Sequence, residues 1–246
     1  KDSEPKLTFE NISVSIDQEY GEIISISANG KKVVEKNPKA NFWRAPTDND
    51  DNWKFGERIG QKWEQAGLDR LIDKRIDANF KKLGEGEFSL NKKYVLAAKS
   101  LKTAFECNTN YQFLKGGAIL VRHSIKPDPN LPSLPRIGFE FILAEGFNKV
   151  EWFGRGAHEN YDDRKESAKF AKYSSSVNEL FVDYIHPQEN GNRADVKSLK
   201  LCNGNGAEIS FIGKPYFNFS ARHWSLENLT QAKHTYDLIV EKKTYL

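Results

Sequence analysis

The stretch Glu151–Arg164 reads EWFGRGAHENYDDR and sets His158 beside Glu159, with Asn160, Tyr161, Asp162 and Arg164 following. A histidine next to a glutamate is the raw material of general acid–base catalysis. Gly154 and Gly156 flank Arg155 and let the backbone turn sharply. Cleavage of a glycosidic bond wants two carboxylates about 5–9.5 Å apart. Neighbours on one loop, such as Asp162 and Asp163, point in different directions and seldom make that pair. A loop stapled by arginine–carboxylate bridges is the plainer use of the same residues, and the expected one.

A second polar run, HPQENGNR, occupies His186–Arg193 directly after ELFVDYI (Glu179–Ile185), which alternates like a strand. Gln188, Glu189, Asn190 and Arg193 are its candidate contacts, with the aromatics Phe181 and Tyr184 close by in sequence and Trp224 further on. A sugar has an apolar C–H face and a polar hydroxyl rim, so amides, carboxylates and aromatic faces suit it. The alternative is a self-satisfied loop at a sandwich end, with Glu189 or Arg193 bonded internally.

A third run, FWRAPTDNDDN (Phe42–Asn52), gathers Arg44, Asp48, Asn49, Asp50 and Asp51. Clustered carboxylates suit a hard cation such as calcium. The calcium-loop glycine and distal glutamate are missing, however, and Asx turns, a helix cap and Arg44 tying the carboxylates together account for the run. No metal ligand set is therefore assigned.

Other chemistry finds no foothold in the sequence. There is no phosphate-binding glycine loop, nucleophile elbow or paired-histidine metal motif. The five histidines are dispersed, and His123 falls inside a strand pattern. Cys107 and Cys202 are far apart and are expected as two buried thiols. A net charge of +3 from 37 basic and 34 acidic residues carries no nucleic-acid or membrane footprint. No apolar run approaches the roughly 18 residues of a membrane helix, and no signal-peptide pattern is seen. The 246 residues contain no methionine, which is expected of a processed product or a piece of something longer.

The elements that must position these loops are mainly strands. KLTFENISVSID alternates, and EYGEIISISANGKKVV turns at Asn29-Gly30. Four alternating runs fill Arg70–Ile125. PDPNLPSLPR (Pro127–Arg136) reads as a long crossing connection within one domain, and IGFEFILA and NKVEWFG resume the strand pattern. Phe55, Ile59, Trp63 and Ala66, closed by Gly67, predict a helix over Trp53–Ala66. Ser225 should cap a short helix in Ser225–Ala232, and TYDLIVEKKTYL should be strand. The expected fold is all-β: one large antiparallel β-sandwich over residues 1–246 with one or two short helices.

Taken in order, NFWRAPTDND, LPRIGFEF, VEWFGRGAHENYDDRKESA, DYIHPQENGNRADV, FNFSARHWSLENLTQAKHTYDL and KKTYL resemble the C-terminal, small-chain domain (domain 5) of bacterial β-galactosidases of glycoside hydrolase family two. The resemblance runs from about Leu7 to the end of the chain. It implies a supersandwich similar to galactose mutarotase. It also implies that the acid/base and nucleophilic glutamates sit in a preceding barrel domain, and that an aromatic lent to the site lies in a motif beyond Leu246. No catalytic residue is therefore assigned here, and the chain is expected to be truncated at its C-terminus.

His158, Glu159, Gln188, Glu189, Asn190, Arg193 and Trp224 remain as sugar-contact candidates. The resemblance further implies partners: the remaining domains of a homo-oligomeric parent, and its galactoside substrate. No cofactor is expected in this domain, with magnesium or sodium ions bound mainly elsewhere in the parent. A bacterial cytoplasm or periplasm fits equally. Ala157 stands where the family commonly has proline. Two other readings stay open: a carbohydrate-binding module using Trp152 or Trp224, and a mutarotase-like epimerase using His158 or His186 with Glu159 or Glu189.

Overall fold

The computed structural model describes residues 6–51, 58–99 and 101–246. Its strands, in chain order, are β1 (Lys6–Phe9), β2 (Ile12–Asp17), β3 (Glu22–Ala28), β4 (Lys31–Val34), β5 (Lys39–Asn41), β6 (Ile72–Gly84), β7 (Glu87–Ala97), β8 (Phe105–Phe113), β9 (Ile119–Pro127), β10 (Gly138–Glu140), β11 (Ile142–Leu143), β12 (Phe147–Gly156), β13 (Lys169–Ser176), β14 (Arg193–Asn203), β15 (Glu208–Phe219) and β16 (Thr244–Tyr245). The helices α1 (Asp48–Asp51), α2 (Ile59–Gln65), α3 (Val177–Leu180) and α4 (Leu226–Gln231) are all short. The fold is all-β, as expected, with four short helices where one or two were anticipated.

The chain divides into two compact units. The first comprises residues 1–30, 36–44 and 48–139. In it, β6-β7-β8-β9 form an antiparallel meander, and β1-β2-β3 form a second antiparallel set. The strict alternation read from the sequence has a physical outcome here. Leu90, Tyr111 and Phe113 on one face of the meander share a core with Leu7, Phe9, Val14, Ile16 and Ile23. Burying each large side chain contributes about 1.5–3 kcal/mol, which is what holds two sheets face to face. Asn29 and Gly30 both take positive φ, as the predicted turn requires.

In the same unit the predicted helix appears as α2. Trp63 is buried, and Gly67 ends the helix at φ +72. The expected first half, from Trp53, falls largely on residues 52–57, outside those described. The acidic run is not a plain loop, because Asp48–Asp51 form one helical turn. Asp50 is buried there, and both of its oxygens accept from Arg44, at 2.6 and 2.9 Å. The Arg44 guanidinium also lies 5.0 Å from the Trp63 ring centre. His123 sits half-buried on β9, where its Nδ1 meets Thr109 Oγ1 at 2.8 Å. Burial pushes its pKa down to about 4. Cys107 is a free, buried thiol, pushed up to about 11 by burial.

The second unit comprises residues 31–35, 45–47 and 140–246. Its main sheet has the order β13-β12-β14-β15, all antiparallel. A smaller set pairs β4 with β11 and β11 with β16. Val150, Trp152, Leu199, Leu201 and Phe147 are buried on the inner side of the main sheet. Cys202, on β14, is a free thiol that is partly covered.

Two strand predictions fail in this unit. Glu179–Ile185 is not a strand. Ser176 and Glu179 form a capping box that turns Val177–Leu180 into helix α3. Beyond it, side chains replace a strand ladder, with Val182 N–H donating to Asn190 Oδ1 at 3.3 Å. Thr235–Leu246 is strand only at Thr244–Tyr245, because Asp237 accepts from the backbone of Lys233 and His234 and curls the chain into a 3₁₀ turn. By contrast, Ser225 caps α4 as read, accepting from Asn228 N–H at 3.1 Å.

Candidate functional site

The two polar runs come together at the ends of β12 and β14. Glu159, just past β12, is the hub. Its Oε1 accepts from Arg164 Nη2 at 2.6 Å and from the Tyr184 hydroxyl in a short bond. Its Oε2 accepts from Gly191 N–H at 2.7 Å. Burial pushes the Glu159 carboxyl up, but the bonds from Tyr184, Arg164 and Gly191 outweigh burial and hold it below the usual range. Tyr184 is raised in turn, by burial and by that same carboxylate. Only glycine fits at position 191. Its φ is +75, and a β-carbon there would stand 2.8 Å from the Leu180 carbonyl oxygen.

Beside the hub, Asn160 and Asn192 clasp the two runs. Asn160 N–H donates to the Asn192 carbonyl at 2.8 Å, and Asn192 Nδ2 donates back to the Asn160 carbonyl at 2.7 Å. Asn160 Oδ1 accepts from Ala194 N–H at 2.9 Å, and Asn160 Nδ2 donates to the His158 carbonyl at 2.9 Å. Asn160 is fully buried. A completed buried network of this kind fixes one geometry for both loops.

Arg193 is buried as well. Its Nη1 donates to the Gly191 carbonyl at 2.9 Å, and its guanidinium lies 5.5 Å from the Trp152 ring centre. Burial lowers its pKa to about 10, against a smaller upward pull from Glu159, so it stays charged at neutral pH. Below it, Arg155 Nε donates to Asp195 Oδ2 at 2.7 Å, while Lys165 Nζ bridges Asp195 and Asp162 at 3.0 Å each.

The remaining candidates are placed as follows. His158 is exposed, with Nε2 3.1 Å from Ser167 Oγ. Gln188 is buried and donates to the His186 carbonyl at 3.1 Å. Glu189 is buried, and its N–H donates to the Ala45 carbonyl at 3.2 Å. Asn190 is partly covered and donates to the Gln188 carbonyl at 2.8 Å. Trp224 is buried edge-on against Phe181, their centres 4.8 Å apart, in a cluster with Ala45 and Leu229. Glu159, Gln188, Glu189, Asn190 and Arg193 therefore share one end of the main sheet, while the Trp224 ring is packed into an apolar cluster.

Asn192, Gly191 and Asp195 are missing from the sequence candidates although they carry the clasp and its support. The Asn-Gly dipeptide is the available signal for a tight backbone position. Nothing local marks Asp195, whose partners Arg155 and Lys165 lie 40 and 30 residues away. Among the described residues, no three His, Cys, Asp or Glu side chains are grouped to hold a metal ion. No helix among them is long and apolar enough to cross a membrane.

An all-β protein of antiparallel sheets, with polar loops gathered at one end of its second unit, is the class that this fold and this site define. The particular family is also clear: the chain belongs to the β-galactosidase small-chain family, whose sequence model matches residues 8–246. It is similar to the β-galactosidase of Priestia megaterium, at 32% identity over 232 residues, covering 94% of this chain and 22% of the relative. For that of Vibrio cholerae the identity is 33% over 225 residues, covering 89% and 21%. For that of Streptococcus thermophilus it is 29% over 244 residues, covering 96% and 22%. The chain thus spans about a fifth of the length of these curated relatives.

Proposed function

We propose that this chain serves as the C-terminal sandwich part of a β-galactosidase of glycoside hydrolase family two, shaping one wall of the galactoside site without supplying acid, base or nucleophile. The full enzyme would cleave terminal β-D-galactosides with retention, through a covalent glycosyl-enzyme. One observation carries the non-catalytic part of this reading. Glu159, the carboxylate best placed beside a histidine, has both oxygens occupied by Arg164, Tyr184 and Gly191 and is held ionised. A general acid needs a raised pKa, and a nucleophile needs a free lone pair facing substrate.

In this role Glu159, Gln188, Glu189, Arg193 and Trp224 are positioning residues. His158 and part of Asn190 are the candidates with surface to offer a sugar. The chain's partners would be the remaining domains of a homo-oligomeric enzyme, and any magnesium or sodium ions would bind mainly on those domains.

The test is a pair of assays on the chain as it stands. A chromogenic β-galactoside should show no hydrolysis above background, and freshly dissolved α-galactose should mutarotate at its uncatalysed rate. Hydrolysis abolished by Glu159→Gln would overturn the non-catalytic assignment. Accelerated mutarotation abolished by His158→Ala or His186→Ala would replace it with an epimerase.

A further inference from the structure

The outer face of the second unit's main sheet carries aromatic side chains that the chain itself leaves open. Register sets Lys172 of β13, Phe153 of β12, Ser198 of β14 and Ile212 of β15 in one row across all four strands. Phe153 and Ser198 alternate with the buried Trp152 and Leu199, so this row lies on the opposite side of the sheet. In the next row Phe170 stands opposite Arg155. On β15 the ladder then breaks. Ile212 faces Ser198 and Phe217 faces Val196, so Gly213–Tyr216 bulge out against Lys197 alone. Glycine suits the start of this bulge, because a β-carbon on Gly213 would stand 2.6 Å from the Phe217 ring.

The bulge carries Tyr216 from one edge of the sheet toward Phe170 on the other edge strand, with ring centres 6.3 Å apart. Phe153 meets Phe170 edge-on at 4.8 Å. Lys197 Nζ lies among the three rings, 5.9 Å from Phe153, 5.8 Å from Phe170 and 5.6 Å from Tyr216. Ile212 is nonetheless 84% exposed, Tyr216 47% and Phe170 41%. Single exposed apolar residues are ordinary, but a contiguous patch rimmed by charge marks an interaction surface. The charges on this face are unevenly spent. Glu151 is held by Lys149 at 2.8 Å and Lys200 at 3.1 Å, and Asp195 by Arg155 and Lys165. Among the described residues, Lys172, Lys197 and Lys214 have no carboxylate within ion-pair distance. The aromatic end of the face is therefore left with positive charge only.

A partner for this face must bring apolar side chains to the rings and carboxylates to the lysines. A second copy of the chain brings lysine against lysine. We propose that Phe153, Phe170, Tyr216 and Ile212, with Lys172, Lys197 and Lys214, form a docking surface for an acidic protein segment. An aliphatic or aromatic side chain of that segment covers the rings, and its carboxylates pair with the lysines. Lys197 is the centre of the surface. The three rings already hold its ammonium in place, so less side-chain freedom is lost when a carboxylate arrives. The segment belongs to the remainder of a β-galactosidase polypeptide, since this chain spans only about a fifth of its relatives' length. That assignment of source rests on the role proposed above; the chemistry of the surface does not.

The experiment is a calorimetric titration of the chain with a glutamate–tyrosine copolymer. Polyglutamate, a lysine–tyrosine copolymer and heparin serve as comparisons. The glutamate–tyrosine copolymer should bind about tenfold tighter than polyglutamate and weaken as salt rises, and the lysine–tyrosine copolymer should not bind. Phe170→Ala and Tyr216→Ala, at exposed positions, should each weaken binding about tenfold and leave the thermal midpoint unchanged. Lys197→Glu should weaken it further. Lys81→Glu, an equal change of charge at an exposed position on β6, should have no effect. Overlapping peptides covering the Priestia megaterium relative then test the source. Those captured should be acidic, should come from outside the stretch that matches this chain, and should be released by Phe170→Ala. No binding of the glutamate–tyrosine copolymer overturns the docking surface. So does equally tight binding of polyglutamate or heparin, or unchanged affinity in all three variants at the patch. Copolymer binding without capture of any such peptide overturns the assignment to the enzyme's own polypeptide. Hydrolysis by the isolated chain would overturn the non-catalytic role instead, and leave the docking result as it stands.

Discussion

The end loops of the second unit and the outer sheet face of the first spend their polar groups in opposite ways. Around Glu159 and Asn160, side-chain oxygens and amides are turned inward onto backbone and onto each other. On the outer face of β7–β9, comparable amides stand along regular strands, and Asn108 Oδ1 is left without a donor among the described residues. In sequence the end loops suggest chemical activity, and the sheet face suggests ordinary strand. Structure reverses much of that impression, because most of the end-loop polarity is spent on joining the two loops, although Arg193 Nε there lacks a hydrogen-bond partner just as Asn108 Oδ1 does on the sheet.

That contrast can be broken most forcefully at its hub. Glu159→Ala strands the Tyr184 hydroxyl, the Arg164 guanidinium and Gly191 N–H at once. It should cost about 3 kcal/mol in denaturant unfolding, discounted because Arg164 is half-exposed. An unchanged midpoint would mean that the network is decorative. Gly191→Ala, forced to keep φ +75 against the Leu180 carbonyl, should cost about 2 kcal/mol in the same measurement.

Titration sharpens the comparison next. His123 has a folded pKa of about 4 against an ordinary value of 6.5, so the unfolded chain takes the proton first as pH falls. The stability it contributes is complete above pH 6.5 and drains away between 6.5 and 4, by about 2 kcal/mol after allowance for its partial exposure. Glu159, whose pKa is lowered, acts in the same sense further down: its contribution holds above the ordinary carboxylate range and is lost as pH falls through its folded value. Stability measured across pH 4–7 should therefore flatten in His123→Gln. The smallest effect belongs to the open face, where Gln112→Ala should move the unfolding midpoint by less than about 0.5 kcal/mol.

How much was legible in the sequence followed the range of the forces. Alternation announced β7 and β8 most directly, because a half-buried strand writes its period into the chain and both are buried at every second residue over much of their length; β6 and β9 have no buried residue and carry that period only loosely. Local caps were equally readable, as Ser225 shows. Glu179–Ile185 alternates too, but over only seven residues. The Ser176–Glu179 pairing is the local sign of a helix start, and it outweighs so short an alternation. The role of Glu159 was not legible, since its partners Tyr184 and Gly191 are 25 and 32 residues distant. Its neighbour His158 suggested catalysis only because adjacency in sequence is visible and contact is not.

The bond from Gly191 N–H to Glu159 also governs how the protein ages. Asparagine followed by glycine is prone to deamidation, in which the glycine nitrogen attacks the asparagine side-chain carbonyl and closes a succinimide. Four such pairs occur, at Asn29, Asn190, Asn203 and Asn205. At Asn190 the attacking nitrogen is held by Glu159 at 2.7 Å, and the carbonyl under attack accepts from Val182 N–H. The Asn29-Gly30 pair, by contrast, forms an exposed turn. The pair at the centre of the clasp is thus held, at both the attacking nitrogen and the carbonyl under attack, away from the ring closure that would lengthen its backbone.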